Sequence, residues 1–355
     1  MVVLVSREDV LRVLRRVVDP ELRVDVVSLG MIKDLRVEDG RVSFTFELTT
    51  PACPLREDLV RAVREAVESI PGVNGVDVRV SARVRQWAPP GKAPIPGVRN
   101  VFAIASGKGG VGKTTVAVNL AMALARMGAG VGILDADIYG PTVPRMVRVV
   151  RRPETRQDNK IVPAETELGV KVMSFGFMVP EDAPVIWRGP LVGKAVTEML
   201  GSVVWGELDY LVVDLPPGTG DAALSLAQTI PLTGVVIVTT PQDAALKIAV
   251  KALNMFRSLK VEVLGVVENM SYFVCPNCGE RVDIFGHGGA RAACERLGVD
   301  FLGEVPLIPE IRKYGDLGRP IVMAEPDSHA SRAFMEIASR IAGKISVLTM
   351  RKGEG

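Results

Sequence analysis

Cysteine is scarce in this chain and histidine scarcer: four of the one and two of the other in 355 residues. Cys53, Cys275, Cys278 and Cys294 are too few to staple a chain of this size. That excludes a disulfide scaffold and points to a reducing compartment, where paired cysteines serve metal or redox chemistry. An excess of charge is also missing, since the formal net charge is only +2. No strong field therefore advertises a nucleic-acid partner. No apolar run approaches the roughly 20 residues of a membrane span, and no charged-then-apolar leader with a cleavage site opens the chain. Asn and Gln number eleven together, a bias shared with heat-adapted proteins. These absences predict a cytoplasmic protein with neither a membrane nor a nucleic acid among its partners.

What is present divides in two. "WAPPGKAPIPG", residues 87–97, has four prolines and two glycines and reads as a semi-rigid linker. Before it, residues 1–86 read as a small α+β domain in the order α-β-β-α-β. Ser6 with Asp9 resembles a capping box, and Val10, Leu11, Leu14, Val17 and Val18 fall on one helical face. "EDGR" (38–41) signals a hairpin ahead of Val42, Phe44, Phe46 and Leu48, which alternate with polar residues as a half-buried strand does. Leu55, Leu59, Val63, Val67 and Ile70 mark a second helix, and "GVDVRV" a last strand.

After the linker, residues 98–348 read as a mainly parallel sheet covered by helices. "VFAIAS", "VGILDAD", "LVVDLP", "VVIVTT" and "LGVVEN" are short, nearly all-apolar runs, as in strands buried on both faces. Ligands of such sheets bind at the carboxyl ends of the strands, and every motif follows one of these runs. "SGKGGVGKTT" (106–115) follows the first and fits the phosphate-loop pattern G-x-x-x-x-G-K-[ST]. Gly107, Lys108, Gly109, Gly110, Val111, Gly112, Lys113, Thr114 and Thr115 form the predicted nucleotide cradle. Lys113 neutralises the outer phosphates and the Thr114 hydroxyl ligates Mg2+. Asp135 and Asp137 end the second run and Asp214 the third. A lone strand-end aspartate is often a helix cap, but three around one phosphate loop exceed that explanation. Asn269 closes the last run, either as a turn residue or as part of the nucleotide site.

The inner lysine, Lys108, makes "KGGVGKTT" resemble the deviant Walker A motif of the ParA/MinD group of P-loop ATPases. The resemblance implies that Lys108 reaches the partner subunit's nucleotide, that Asp137 positions the attacking water, that Asp214 is the magnesium-linked aspartate, and that Asn269 reads the base. A solvated loop lysine is the plainer alternative for Lys108. Further stretches resemble the Mrp/ApbC family of iron–sulfur cluster carrier ATPases: "DADIYGPT", "WRGP" (187–190), "DYLVVDLPPGTGD", "TTPQDAAL", "ENMSYFVCPNCGE" and "FLGEVPLIPEIR". The first domain resembles the cluster-assembly domain often fused in front, through "DPEL", "SLGMIKDL" and "TTPACPL". Ala290 stands where the family usually has a third glycine, and Lys247 where an acidic residue is common.

Cys275 and Cys278 form a lone Cys-x-x-Cys, while a metal site usually wants four protein ligands. The resemblance implies a homodimer in which each subunit supplies one pair to a shared [4Fe-4S] cluster. It also implies ATP and Mg2+ as cofactors, slow dimer-dependent hydrolysis, an upstream cluster scaffold and apo iron–sulfur proteins as partners. Phe273 and Val274 flank the pair and would restrict solvent. A zinc site from Cys275, Cys278, His287 and Cys294 within one chain is the rival, although Cys294 lies on a buried-looking helical stripe. Cys53 precedes a helix whose first turn would favour thiolate, so it reads either as a cluster contact or as a small buried residue. The rival function is a MinD-like membrane-positioning ATPase, suggested by the stripe Phe334, Ile337, Ile341, Ile345 and Leu348.

Overall fold

The computed structural model describes residues 5–178, 189–275 and 277–352. The chain resolves into two compact units: residues 1–85 with 342–355, and residues 86–341. The final helix, His329–Lys352, therefore changes unit along its length, whereas the sequence reading gave it to 98–348 throughout.

In the first unit, Ser6 caps the helix Arg7–Leu14 and Asp9 returns the bond to the Ser6 backbone, so two N–H groups of the open helix end are satisfied. The helix stops earlier than the apolar stripe suggests. Val18 is exposed and lies in a two-residue strand paired with Val24–Asp25. Asp19 precedes Pro20, which disfavours helical backbone there, and its carboxylate instead accepts from the Glu21 and Leu22 N–H groups. Three strands, Ile32–Glu38, Arg41–Leu48 and Gly75–Ala82, form the sheet. The first pair is antiparallel and the second parallel, with the helix Arg56–Glu68 between the parallel partners. Val42, Phe44, Phe46 and Leu48 are buried against Val10, Leu14, Leu59, Val63 and Val67. Leu55 and Ile70 flank the second helix rather than lie in it.

The second unit is built on a nine-stranded sheet. From one edge the order is Phe301–Val305, Val263–Asn269, Gly234–Thr239, Val98–Ser106, Leu208–Asp214, Val131–Asp135 and Lys171–Ser174, all parallel, then Ala164–Thr166 and Val149–Arg151, each antiparallel to the strand before it. The phosphate-loop strand Val98–Ser106 is central, and the chain leaves it by the helix Lys113–Arg126 to a strand two places away. That reversal of order opens a crevice at the carboxyl ends of the strands. Lys171–Ser174 and Phe301–Val305 are parallel strands that the apolar runs did not mark.

The proline-rich stretch packs as part of this unit instead of standing free. Lys92 Nζ donates to the Ala227 and Ile230 carbonyls at 3.1 and 2.7 Å, at the end of the helix Asp221–Thr229. The Ala227 carbonyl lies in the last turn of that helix and the Ile230 carbonyl, which also accepts from the Leu232 N–H, just past it, and a cation suits the negative end of the helix dipole. Burial holds the Lys92 ammonium below its ordinary pKa.

Phe334, Ile337, Ile341 and Ile345 are buried and Leu348 half-buried, so the helical stripe is core. Among the described residues no helix is long and apolar enough to cross a membrane.

Candidate functional site

The phosphate loop connects a strand buried from Asn100 to Ser106 to a helix whose N-cap is Gly112, at φ +79°. A Cβ at Gly112 would run into the Asn269 amide, besides demanding left-handed backbone. At Gly107 a Cβ would come within 2.6 Å of the Ile248 backbone. Glycine is thus required at both positions by close approach. Gly109 and Gly110 are exposed and Val111 is buried.

Behind the loop, Lys113 Nζ donates to Asp214 Oδ1 at 2.6 Å and Thr114 Oγ1 donates to Asp214 Oδ2 at 2.6 Å. Asp214 is completely buried and Lys113 nearly so. A buried charge demands a partner, and here one carboxylate serves both loop side chains. Asp135 lies opposite Asp214 on the neighbouring strand. Burial, then the Asp214 charge, pushes its carboxyl up to about 7, although the Val143 N–H and the Ser174 hydroxyl donate to it. Burial also raises Asp137, with Lys113 acting against the shift.

These groups open on a cavity of about 840 Å³. Lys108, Thr115 and Asp137 line it beside the loop, and Leu307, Ile308 and Ile311 offer an apolar wall. The volume lies within the range of small-molecule pockets, roughly 300–1,000 Å³. Asn269 also lines it, but its Nδ2 donates to the Val111 carbonyl at 2.8 Å. It thus braces the phosphate loop. Every residue of the sequence-predicted nucleotide set lies on this loop or at a neighbouring strand end.

The cysteines stand apart on a hairpin. Phe273–Val274 pairs with Arg281–Val282, the Cys275 N–H donates to Glu280 O, and the Gly279 N–H donates to Cys275 O, both at 2.9 Å. Gly279 makes the turn at φ +73°. Cys278 is exposed and Cys275 partly so. The Cys278 backbone N–H, then that of Asn277, holds the Cys275 thiol below its ordinary pKa. Val274, Val282 and Ile284 form an exposed apolar rim, with Phe273 half-buried.

A polar knot ties this hairpin to the sheet. The buried Ser271 hydroxyl lies 2.7 Å from Glu268 Oε1, 2.9 Å from Glu304 Oε2 and 3.1 Å from His287 Nδ1. Glu268 and Glu304 are register partners on adjacent strands. Glu268 also accepts from the Gly288 and Ala290 N–H groups. Arg281 lies 4.1 Å above the Tyr272 ring and about 3.0 Å from the His287 ring nitrogens. Sequence reading missed this knot. Its only signal is two glutamates near adjacent strand ends.

The one-chain zinc set is not assembled. Cys294 is buried in the hydrophobic core and burial pushes its thiol up to about 11. His287 is engaged by Arg281 and Ser271. Among the described residues the grouping spaced for a cation is Glu268, His287 and Glu304, which has no cysteine. Cys53 reverses its helix-end expectation: burial, with Glu21 and Asp19 nearby, pushes it up to about 11 against one N–H from Leu55. Trp187 and Arg188 of "WRGP" lie outside the described residues, while Gly189 opens the helix Gly189–Ser202.

The NUBPL iron-transfer P-loop NTPase family matches residues 97–342, and an iron–sulfur cluster assembly protein family matches residues 7–80. The chain is 48% identical to an iron–sulfur cluster carrier protein of Synechocystis over 98% of this chain and 100% of that one. It is 49% identical to one of Deinococcus radiodurans over 96% of each. With the iron–sulfur cluster transfer protein NUBPL of Dictyostelium discoideum it shares 46% identity, over 72% of this chain and 80% of that protein. A nucleotide-binding protein from Archaeoglobus fulgidus, solved with ADP, superposes with a TM-score of 0.57 at 40% identity, covering 66% of this chain and 91% of that one. The cell-division ATPase MinD of Pyrococcus furiosus, at 24% identity and TM-score 0.52, covers 68% of this chain and 98% of its own and shares the fold alone.

Proposed function

The chain belongs to the NUBPL-type iron-transfer P-loop NTPases, and we propose that it is an ATP-dependent iron–sulfur cluster carrier holding its cargo between two copies of itself. The observation that carries this reading is the hairpin tip. It offers two accessible thiols, one of them biased toward thiolate, and no further cysteine of the chain lies on it. A [4Fe-4S] cargo needs four thiolates. A two-fold axis brings the same patch together twice, so a second copy completes the set, and the apolar rim of Val274, Val282 and Ile284 suits that contact. The cluster then passes to apo iron–sulfur proteins, having come from an upstream scaffold.

The P-loop site supports nucleotide hydrolysis as the controlling event. Gly107–Thr115 cradle the phosphates, with Lys113 against the outermost. The hydroxyl of Thr114 and the carboxylate of Asp214 are hard oxygen donors that fit Mg2+, which on binding neutralises phosphate charge. Asp137, at the cavity wall, orients water, and its raised pKa suits a group that also manages a proton. Lys108, half-buried at the rim of the same cavity, serves the second copy's nucleotide in the closed dimer. Closure of the dimer is then linked both to hydrolysis and to grip on the cargo. Membrane positioning has only the shared fold behind it, because the helical stripe that suggested it is buried.

Anaerobic reconstitution followed by iron and sulfide counts tests the shared site. The expected result is one four-iron cluster per two chains. Four irons on each monomer, or a stable holo-monomer by gel filtration, overturns it. ATP should bind more tightly than GTP in calorimetry, since no Asn-Lys-x-Asp guanine signature accompanies Asn269.

A further inference from the structure

Beside the cysteine hairpin, on the second unit, runs a groove of about 260 Å³. Its strand, Phe301–Val305, is the last of the sheet order, so among the described residues one side of it has no strand neighbour. Three exposed arginines border the groove. The Arg291 guanidinium rests 4.5 Å from the Phe301 ring, and Arg340 commits Nη1 to the Leu302 carbonyl at 2.8 Å. Arg332 has no side-chain hydrogen bond or ion pair among the described residues. His329 stands at the same groove, its ring 3.3 Å from the Tyr272 hydroxyl.

Two acidic groups face these cations. Glu304 is already engaged by Ser271 at 2.9 Å and lies 3.5 Å from His287, which leaves Glu336 to oppose three guanidinium groups. The groove therefore carries local positive charge in a chain whose overall charge is close to balanced. Planar guanidinium forks match carboxylates bidentately. The volume falls below the roughly 300 Å³ at which small-ligand pockets begin, and the shape is a trough along a strand. Tyr272 forms part of its wall and also carries Arg281 of the hairpin on its ring.

We propose that this groove docks an acidic, extended segment of the protein that receives the cluster, placing the recipient beside Cys275 and Cys278. The inference rests on the carrier reading. A plainer account has the arginines only guarding an open sheet edge against stray strand pairing, and it predicts no acidic ligand.

The full-length protein should bind a blocked hexaglutamate peptide in fluorescence anisotropy, with affinity falling as salt rises. Arg332→Glu, which breaks no bond within the chain, should weaken that binding by about tenfold or more and flatten its salt dependence. A hexalysine peptide should not bind. No binding by the wild type, equal affinity in R332E, or displacement of the peptide by inorganic phosphate at a similar concentration overturns the proposal, the last by revealing a small-anion site. The iron count of reconstituted R332E separates the two readings. It should equal that of the wild type, and a wild type without cluster would fail the carrier reading while leaving the peptide result to stand or fall alone.

Discussion

The nucleotide site and the cysteine hairpin lie a short stretch of chain apart, Met270–Val274, yet they are built in opposite ways. At the phosphate loop, Lys113, Thr114 and Asp214 satisfy one another in the interior, and Asn269 braces the loop. At the hairpin the two thiols stand at a solvent-facing turn, and the polar knot of Ser271, His287 and Arg281 lies behind them, not among them. One site is prepared by its own chain; the other, on the shared-cluster reading proposed above, is half a site. A preformed buried site makes its residues matter to folding as well as to binding. An exposed half-site can lose its function with no loss of stability.

The largest effect expected from this contrast is at Lys113. Lys113→Ala should abolish nucleotide binding, because it removes the buried loop cation that Asp214 holds at the base of the cradle. It should also lower stability by on the order of 3 kcal/mol without nucleotide, since Asp214 is left as a buried charge lacking its cation. Calorimetry and thermal denaturation read the two losses, and unchanged stability would show that the site is less preformed than its geometry implies. Cys275→Ser and Cys278→Ser should each remove the cluster's visible absorption while shifting stability by under about 0.5 kcal/mol, as exposed substitutions do. Cys294→Ser should leave the absorption largely intact. If either hairpin variant unfolds the protein, the contrast is wrong.

Lys108 belongs to the same loop but, on our reading, to the incomplete half of the molecule. Lys108→Ala should still bind ATP through Lys113 and Thr114, yet lose roughly 10³–10⁵ in hydrolysis, the range for a cation supplied in trans. Mixed with Lys113→Ala, it forms heterodimers in which one intact nucleotide site faces a wild-type Lys108. Recovered hydrolysis in the mixture is the expected result. A mixture that stays inactive while heterodimers form would place the lysine's action in its own subunit.

Much of this was legible in the sequence because the informative features are local. "SGKGGVGKTT" after an all-apolar run specifies strand, loop and helix together, and the structure has all three. Lys171–Ser174 escaped because it is brief, and Phe301–Val305 because Gly303, at φ +151°, and Glu304 interrupt its apolar run. Other features depend on distant partners. The proline-rich stretch looks like a free spacer until Lys92 meets carbonyls at Ala227 and Ile230. Cys53 looks activated by its helix end until burial is known, and burial dominates. Glu268 and Glu304 converge only through strand register.

The last expected effect, on stability alone and visible only as a pH dependence, concerns Asp135, which is buried with the nucleotide site yet is absent from the lining of its cavity. Its carboxyl moves from 3.8 in the open chain to about 7 in the fold, so the folded state holds a proton that the unfolded state has released between those values. Stability then falls as pH rises through that window and levels off above about 7, because the unfolded chain binds fewer protons there. Asp135→Asn keeps a carbonyl oxygen for the Val143 N–H and the Ser174 hydroxyl but cannot ionise beside Asp214. The nucleotide-free variant should therefore lose less stability than the wild type between pH 5 and pH 7, with the two converging toward pH 4. Cys278→Ser, altering an exposed thiol, should follow the wild-type curve throughout. Denaturant titrations across that range measure the difference. Parallel curves for wild type and Asp135→Asn would mean that Lys113 neutralises both aspartates, so that the interior of the nucleotide site is better compensated than its buried carboxylates suggest.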